Sequence, residues 1–378
     1  MTTIRAELIL YNGPIHTIDP LHPVAEAVAV AGGRIIAVGL LEEIEATTHA
    51  NTRRIDLAGR TLIPGFNDAH INMCKVGLLM NSVAEDTASG ADLEAAILTA
   101  AKAILRMGIT SVTEAGLTPV QLDVYRKLAS ERRLPLRINA MALRYDNDGS
   151  KIHLPERFES NWLRIDTILL FAERADREGL LYSDDQMRAL IWDIHRAGLR
   201  AAIQASSEAA ISQVIGAIEY ASHRLVSRLK HRIDGFAHPT DDHLQRCRHR
   251  IGVVVQPGTI GAASSNGKYP LRSMLDTGLI VALGSDAHNL TDANPLAGIK
   301  TAAERLNGVG ATVAENLSLY TLGSAVVAGE DHLKGSISPG KYADMAILSG
   351  DPLRAPLARL TDLQVESVLV NGVVAHSS

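Results

Sequence analysis

Short apolar runs broken by turn residues open the chain. Ala6 to Leu10 stops at Asn12-Gly13, Val28 to Val30 leads through Gly32-Gly33 into Arg34 to Val38, and a further run covers Arg54 to Leu57. Runs this short, punctuated by Asn-Gly and Gly-Gly, predict β-hairpins. The same style returns at the other end, with Tyr342 to Leu348, a Gly350-Asp351-Pro352 turn, Val365 to Val370, Asn371-Gly372 and Val373 to His376. Neither end is long enough to bury a core by itself. The pattern therefore predicts that residues 1–60 and 340–378 fold together as one small β-sandwich domain.

Between the ends, strand-like runs alternate with segments of helical period, which is the mark of βαβ units and a parallel sheet. Eight strands are expected: Thr61–Phe66, Ile109–Thr113, Leu136–Ala142, Thr167–Ala172, Arg200–Ala205, Ile233–Ala237, Gly252–Gln256 and Ile280–Gly284. Leu93 to Met107 shows the 3.6-residue apolar period, and Asp184 to Ala197 follows the N-cap candidate Ser183. Eight such repeats predict a (β/α)8 TIM barrel over residues 61–339. An open doubly wound sheet would carry a glycine-rich first turn, which this sequence lacks.

Composition narrows the function. The 378 residues are 46% hydrophobic and only 4% aromatic, so the core must be built from Ala, Leu, Ile and Val. Formal charge is 37 − 42 = −5 without long single-sign runs. That argues against a nucleic acid or a membrane surface as partner and leaves a small-molecule substrate. Two cysteines, Cys74 and Cys247, make no disulfide framework, and no signal peptide or membrane span is evident, so a cytoplasmic protein is expected. A homodimer is the commonest soluble assembly and nothing in the sequence opposes it.

In a barrel of this kind chemistry sits at the C-terminal ends of the strands. Read in order, those ends offer His70 and Asn72, Glu114, Arg144, Glu173, Gln204, His238, Gln256 and Asp286. Two histidines and an acid on strands 1, 6 and 8 form a donor set suited to zinc and its neighbours.

Over nearly its whole length the chain resembles the amidohydrolase superfamily, in particular amidohydrolase family 3, the YtcJ-like branch. The resemblance rests on Ala6-Glu7-Leu8-Ile9-Leu10-Tyr11-Asn12-Gly13, on Gly33-Arg34-Ile35-Ile36-Ala37-Val38-Gly39 and on Asp56-Leu57-Ala58-Gly59-Arg60-Thr61-Leu62-Ile63-Pro64-Gly65-Phe66. It continues through Gly108-Ile109-Thr110-Ser111-Val112-Thr113-Glu114-Ala115-Gly116, Leu283-Gly284-Ser285-Asp286 and Gly335-Ser336-Ile337-Ser338-Pro339-Gly340-Lys341-Tyr342-Ala343-Asp344. Where the family carries His-x-His after strand 1, this chain has His70-Ile71-Asn72. The family's bridging lysine falls on Leu169, and its strand-5 histidine on Gln204. Leucine has no donor atom, so a binuclear centre is not expected. The resemblance leaves at most one divalent ion, zinc foremost, on His70, His238 and Asp286 with help from Asn72, or a metal-free site.

The resemblance implies hydrolysis of a C–N bond in a small non-peptide or cyclic amide, with Asp286 as general acid and base and His238 polarising the carbonyl. Gln204, Glu114, Arg144, Glu173 and His288 are the substrate-binding candidates. Two alternatives stay open: a metal-independent acid–base enzyme (isomerase, lyase or ring-opening), and a non-catalytic ligand-binding relative. Other features are assigned structural roles. Asn67 and Asp68 shape the strand-1 turn, His195 sits on an outer helix, and His243 and Cys247 share a solvated helix. Gly261 to Lys268 resembles a phosphate loop but is too long and is followed by Tyr269; it reads as an active-site loop able to act as a lid.

Overall fold

The structure is a computed structural model that describes residues 5–145, 151–174, 177–258, 270–304 and 310–378, the side chains of Arg174, Arg177 and Glu178 excepted. Eight parallel strands line up in chain order: β1 Phe66–Ile71, β2 Ile109–Leu117, β3 Arg137–Leu143, β4 Leu163–Phe171, β5 Arg200–Ala205, β6 Arg232–Gly235, β7 Gly252–Val255 and β8 Ile280–Leu283. The ring closes just past β8, where Asp286 N–H donates to the His70 carbonyl at 2.7 Å and Asn72 N–H to that of Ala287 at 3.3 Å. Ser285 N–H donates at 2.9 Å to the buried carboxylate of Asp68. Asp68 thus ties β1 to β8 and is more than a turn-former. Closure also fixes Gly284, since a Cβ there would lie 2.6 Å from the His70 nitrogen.

Small residues fill the inside of the barrel, as the aromatic-poor composition requires. Ala69 of β1, Val254 of β7 and Ala282 of β8 pack together, while Ala115, Met141, Leu169 and Ala202 pack between β2 and β5. The helices outside are held by their caps. Ser89 pairs with Asp92, Thr118 with Gln121 and Ser183 with Gln186 in reciprocal capping boxes. The helix expected at Leu93 to Met107 spans Gly90–Leu105, and the one expected after Ser183 spans Asp184–Arg196.

The first predicted barrel strand is divided. Thr61–Pro64 leaves the barrel and pairs antiparallel with Met345–Leu348, and β1 begins only at Phe66. The chain termini supply the rest of that second sheet: Leu8–His16, Val24–Ala31, Arg34–Gly39, Arg53–Asp56, Val365–Val370 and Val373–Ser377. All eight strands form one hydrogen-bonded sheet, which curls until Ala343 N–H donates to the Gly33 carbonyl at 2.9 Å. This closure wraps the strands of both termini around Leu8, Leu10, Val28, Leu62, Met345 and Leu369, all buried. Among the described residues no helix is long and apolar enough to cross a membrane.

Candidate active site

A cavity of about 850 Å³ opens at the C-terminal ends of the barrel strands. His70, Asn72, Glu114, Leu169, Glu173, Gln204, Asp286 and His288 all line it. Of the nine residues proposed from the sequence as catalytic, metal-binding or substrate-binding, seven are therefore on its wall; His238 and Arg144 are not.

At its floor lies a chain of three charged or ionisable groups. His70 Nδ1 meets Asp234 Oδ2 at 2.6 Å, and Arg232 Nη2 donates to that same oxygen at 2.6 Å. All three side chains are buried. Burial alone would raise the Asp234 pKa, but the Arg232 charge and the His70 hydrogen bond outweigh it and hold the carboxyl below the usual carboxylate range. An ionised Asp234 can only accept, so His70 carries its proton on Nδ1 and turns Nε2 upward. There Nε2 faces Asp286 Oδ1 at 3.6 Å, and Asn72 Nδ2 donates to that oxygen at 3.1 Å.

Asp286 is held in an unusual backbone state. Its φ is +51°, in the left-handed region, and its N–H is anchored on the His70 carbonyl. Asp tolerates this conformation better than most residues, yet such positions gather at functional sites because the surroundings must enforce them. The His288 ring stands beside it, with Nδ1 2.8 Å from the Asp286 carbonyl oxygen.

The remaining candidates divide by how their polar groups are used. Glu114 accepts from Met73 N–H at 2.7 Å and Cys74 N–H at 2.8 Å, at the first turn of the helix Met73–Met80. Burial pushes its carboxyl up to about 8 despite those two bonds, so it is largely neutral at pH 7. Glu173 caps the helix Glu208–Arg224, accepting from the N–H groups of Ser206 and Ser207 and from the Ser207 hydroxyl. Partial burial works to raise its pKa, but these bonds and the nearby His238 charge bring it below the usual range. Both carboxyl groups therefore hold a helix N-terminus in place as well as facing the cavity. Arg144 is buried and donates to the Ile152 carbonyl at 2.5 Å, outside the cavity wall.

His238 is the main correction. Its side chain is exposed, and its backbone N–H is bound to the Ser206 carbonyl at 2.9 Å. The strand-6 residue that reaches His70 is Asp234, which the sequence reading passed over. A signal was present: Arg232 and Asp234 are two apart on β6, so both face the interior, and charge on the inner face of a strand is costly unless it is used. The apparent His/Cys group of that region also separates. His231 pairs with His195 at 2.8 Å, and His243 with the Ser212 hydroxyl at 2.7 Å. His243 and Cys247 are buried, on the inner face of a short helix and not on a solvated one. Gly261 to Lys268 lie outside the described residues.

The donor set does not suit a resident metal ion. Catalytic zinc takes three imidazole, thiolate or carboxylate ligands. Here His70 and Asp286 meet, but the neighbouring places hold the neutral amides of Asn72 and Gln204 and the apolar Leu169. Among the described residues no three His, Cys, Asp or Glu side chains converge on a point where an ion would fit.

Comparison with known proteins places these features. The sequence profile of the amidohydrolase family, in its third branch, matches residues 78–376. An N-substituted formamide deformylase of Arthrobacter pascens is 22% identical, over 100% of this chain and 99% of its own. An imidazolonepropionase of Symbiobacterium thermophilum is 27% identical over 85% and 83%. Among solved structures, a metal-dependent hydrolase of uncharacterised activity from Pyrococcus furiosus superposes with a TM-score of 0.77 at 18% identity, covering 92% of this chain and all of that one. An adenosine deaminase of Xanthomonas campestris with bound zinc gives 0.75 at 19%, covering 98% and 93%. A divalent metal thus occurs among the proteins that share this fold. The chain belongs to the amidohydrolase family.

Proposed function

We propose that the protein hydrolyses a C–N bond of a small non-peptide amide or cyclic amide, with the proton chemistry carried by its own acid–base groups. The observation that supports this most is the Asp234–His70–Asp286 array, whose His70 Nε2 and Asp286 carboxylate share one corner of the cavity. The relatives add weight, since their names include a formamide deformylase and an imidazolonepropionase.

A water held between His70 Nε2 and Asp286 loses a proton to the Asp286 carboxylate as its oxygen attacks the carbonyl carbon. Asp234 fixes the imidazole's tautomer and orientation throughout. Charge developing on the carbonyl oxygen meets the amide N–H groups of Gln204, which lines the same cavity. Asp286 then gives its proton to the departing nitrogen, the C–N bond breaks, and acid and amine are released. Amide donors make a weaker electrophilic site than a metal ion does. Substrates with an activated carbonyl, such as formamides and strained or conjugated cyclic amides, suit this machinery better than ordinary peptides.

Incubation with n-alkylformamides, n-alkylacetamides and cyclic amides, with chromatographic detection of the freed amine or ring-opened acid, tests the reading. Metal content is measured on the same sample by elemental analysis. Turnover that survives dialysis against a chelator is expected. Turnover that disappears with the chelator and returns with zinc would contradict the metal-free chemistry, and no turnover of any class would contradict the function.

A further inference from the structure

Beside the mouth cavity lies a second one, of about 620 Å³, between β2, β3 and the segment after residue 150. Leu117 and Leu143 line both cavities. Away from that shared wall the second cavity is bounded by Leu122, Ile152, Leu154 and Phe158. Charged groups such as Asp123, Arg126 and Arg157 stand with these apolar side chains in its lining. Two leucines are therefore all that the two linings have in common between the cavity holding His70 and Asp286 and an apolar chamber within the size range of small-molecule sites.

We infer that this chamber is a specificity pocket for an apolar substituent of several carbons on the substrate amide. The inference rests on the proposed amide hydrolysis and names the class of amide. An amide seated against His70 and Asp286 shares its cavity with Leu117 and Leu143, the wall beyond which lies a space lined by aliphatic and aromatic carbon. Each methylene transferred from water into such a chamber is worth about 0.8 kcal/mol, or about four-fold in affinity. Selectivity for long over short substituents comes from this chamber, while the reaction itself is carried out at the polar corner.

The test uses the n-alkylformamide series methyl, butyl and hexyl. Binding is measured by calorimetry on the Asp286→Asn protein, and kcat/KM on the wild type. Affinity and kcat/KM should rise together by about four-fold per methylene from methyl to butyl. Leu154→Trp, a half-buried side chain enlarged into the chamber, should abolish the gain and bring hexyl close to methyl in both affinity and kcat/KM. Affinity independent of chain length, or a Leu154→Trp protein that still favours hexyl, would overturn the pocket. The two readings separate cleanly. Chain-length-dependent binding without any wild-type turnover keeps the pocket and removes the hydrolase, whereas turnover indifferent to chain length does the reverse.

Discussion

At the N-terminal end of the barrel strands, Asp166 lies between Arg200 at 2.8 Å and Arg164 at 2.5 Å, and all three are largely buried. Beside it Lys334 pairs with Glu330 at 2.9 Å, and Arg137 clasps Asp344 through two bonds of 2.6 and 3.0 Å that join barrel to terminal sheet. At the C-terminal end, by contrast, the half-buried Asp286 faces an imidazole at 3.6 Å from a left-handed backbone. Glu114 there is pushed toward neutrality by burial. The lower end cancels its charges within the protein, whereas the upper end leaves a carboxylate and an imidazole nitrogen turned toward the cavity. Stability and chemistry are thus separated along the barrel axis. Asp234 is the joint between them, since Arg232 binds it from below and His70 from above.

The two ends also use histidine differently. His231 at the lower end accepts from Ala201 N–H on Nδ1, so its Nε2–H donates to His195 Nδ1, and His195 Nε2–H donates to the Leu225 carbonyl. With both of its ring nitrogens engaged, His231 has no place for a further proton. Burial, with the charges of His195 and Arg200 alongside, presses the His231 pKa down to about 3. His70 has an anion on one side and the cavity on the other, so of the three it alone turns a ring nitrogen toward the cavity.

If this division holds, the largest effect on folding comes from below. Asp166→Ala leaves two buried guanidinium groups without their partner and should cost about 3–5 kcal/mol in denaturant unfolding. Turnover by the folded protein at low temperature should stay near the wild-type rate. A loss under about 1 kcal/mol would remove the lower end as the anchor.

Next comes the pH dependence of stability. His231 is depressed in the folded state, so below about pH 6.5 the unfolded chain takes up a proton that the folded one refuses. This group makes stability fall as pH falls from about 6.5 toward about 3, by up to about 1.4 kcal/mol per unit. The slope should flatten in His231→Gln when unfolding is followed between pH 4 and 7. An unchanged slope would show that the ring is not held neutral.

Smaller, and opposite in sign, is the contribution of Glu114. Its folded pKa of about 8 exceeds the unfolded value, so stability from this group falls as pH rises from about 4.5 to about 8. Glu114→Gln removes that titration but offers one acceptor where two N–H groups need one each. The net gain near pH 8 should be on the order of 1 kcal/mol, read as a shallower decline above pH 5. A decline as steep as the wild type's would place the charge on Glu114 outside the folding balance.

Much of the framework was legible in the sequence because local pattern encodes it. Seven of the eight barrel strands fall on their predicted runs, and Ser183 caps the helix it was expected to cap. Thr61–Pro64 was misplaced because apolar β-branched runs read alike in either sheet, and only pairing with Met345–Leu348 decides the matter. His70 and Asp286 were visible as polar residues at strand ends. Asp234 was not, because its partner lies 164 residues away in the chain and the nearby His238 offered a more familiar ligand type. Whether a side chain on a short strand points inward is set by register, which a single residue type does not disclose.

In the proposed mechanism Asp286 moves the proton at the open end of the barrel. Asparagine is nearly isosteric and tolerates the left-handed backbone, so Asp286→Asn should fold with little change in stability. Its turnover of the best n-alkylformamide, measured beside the wild type at saturating substrate, should fall by about 10²–10⁴-fold. A folded Asp286→Asn protein that turns over at the wild-type rate would contradict the account.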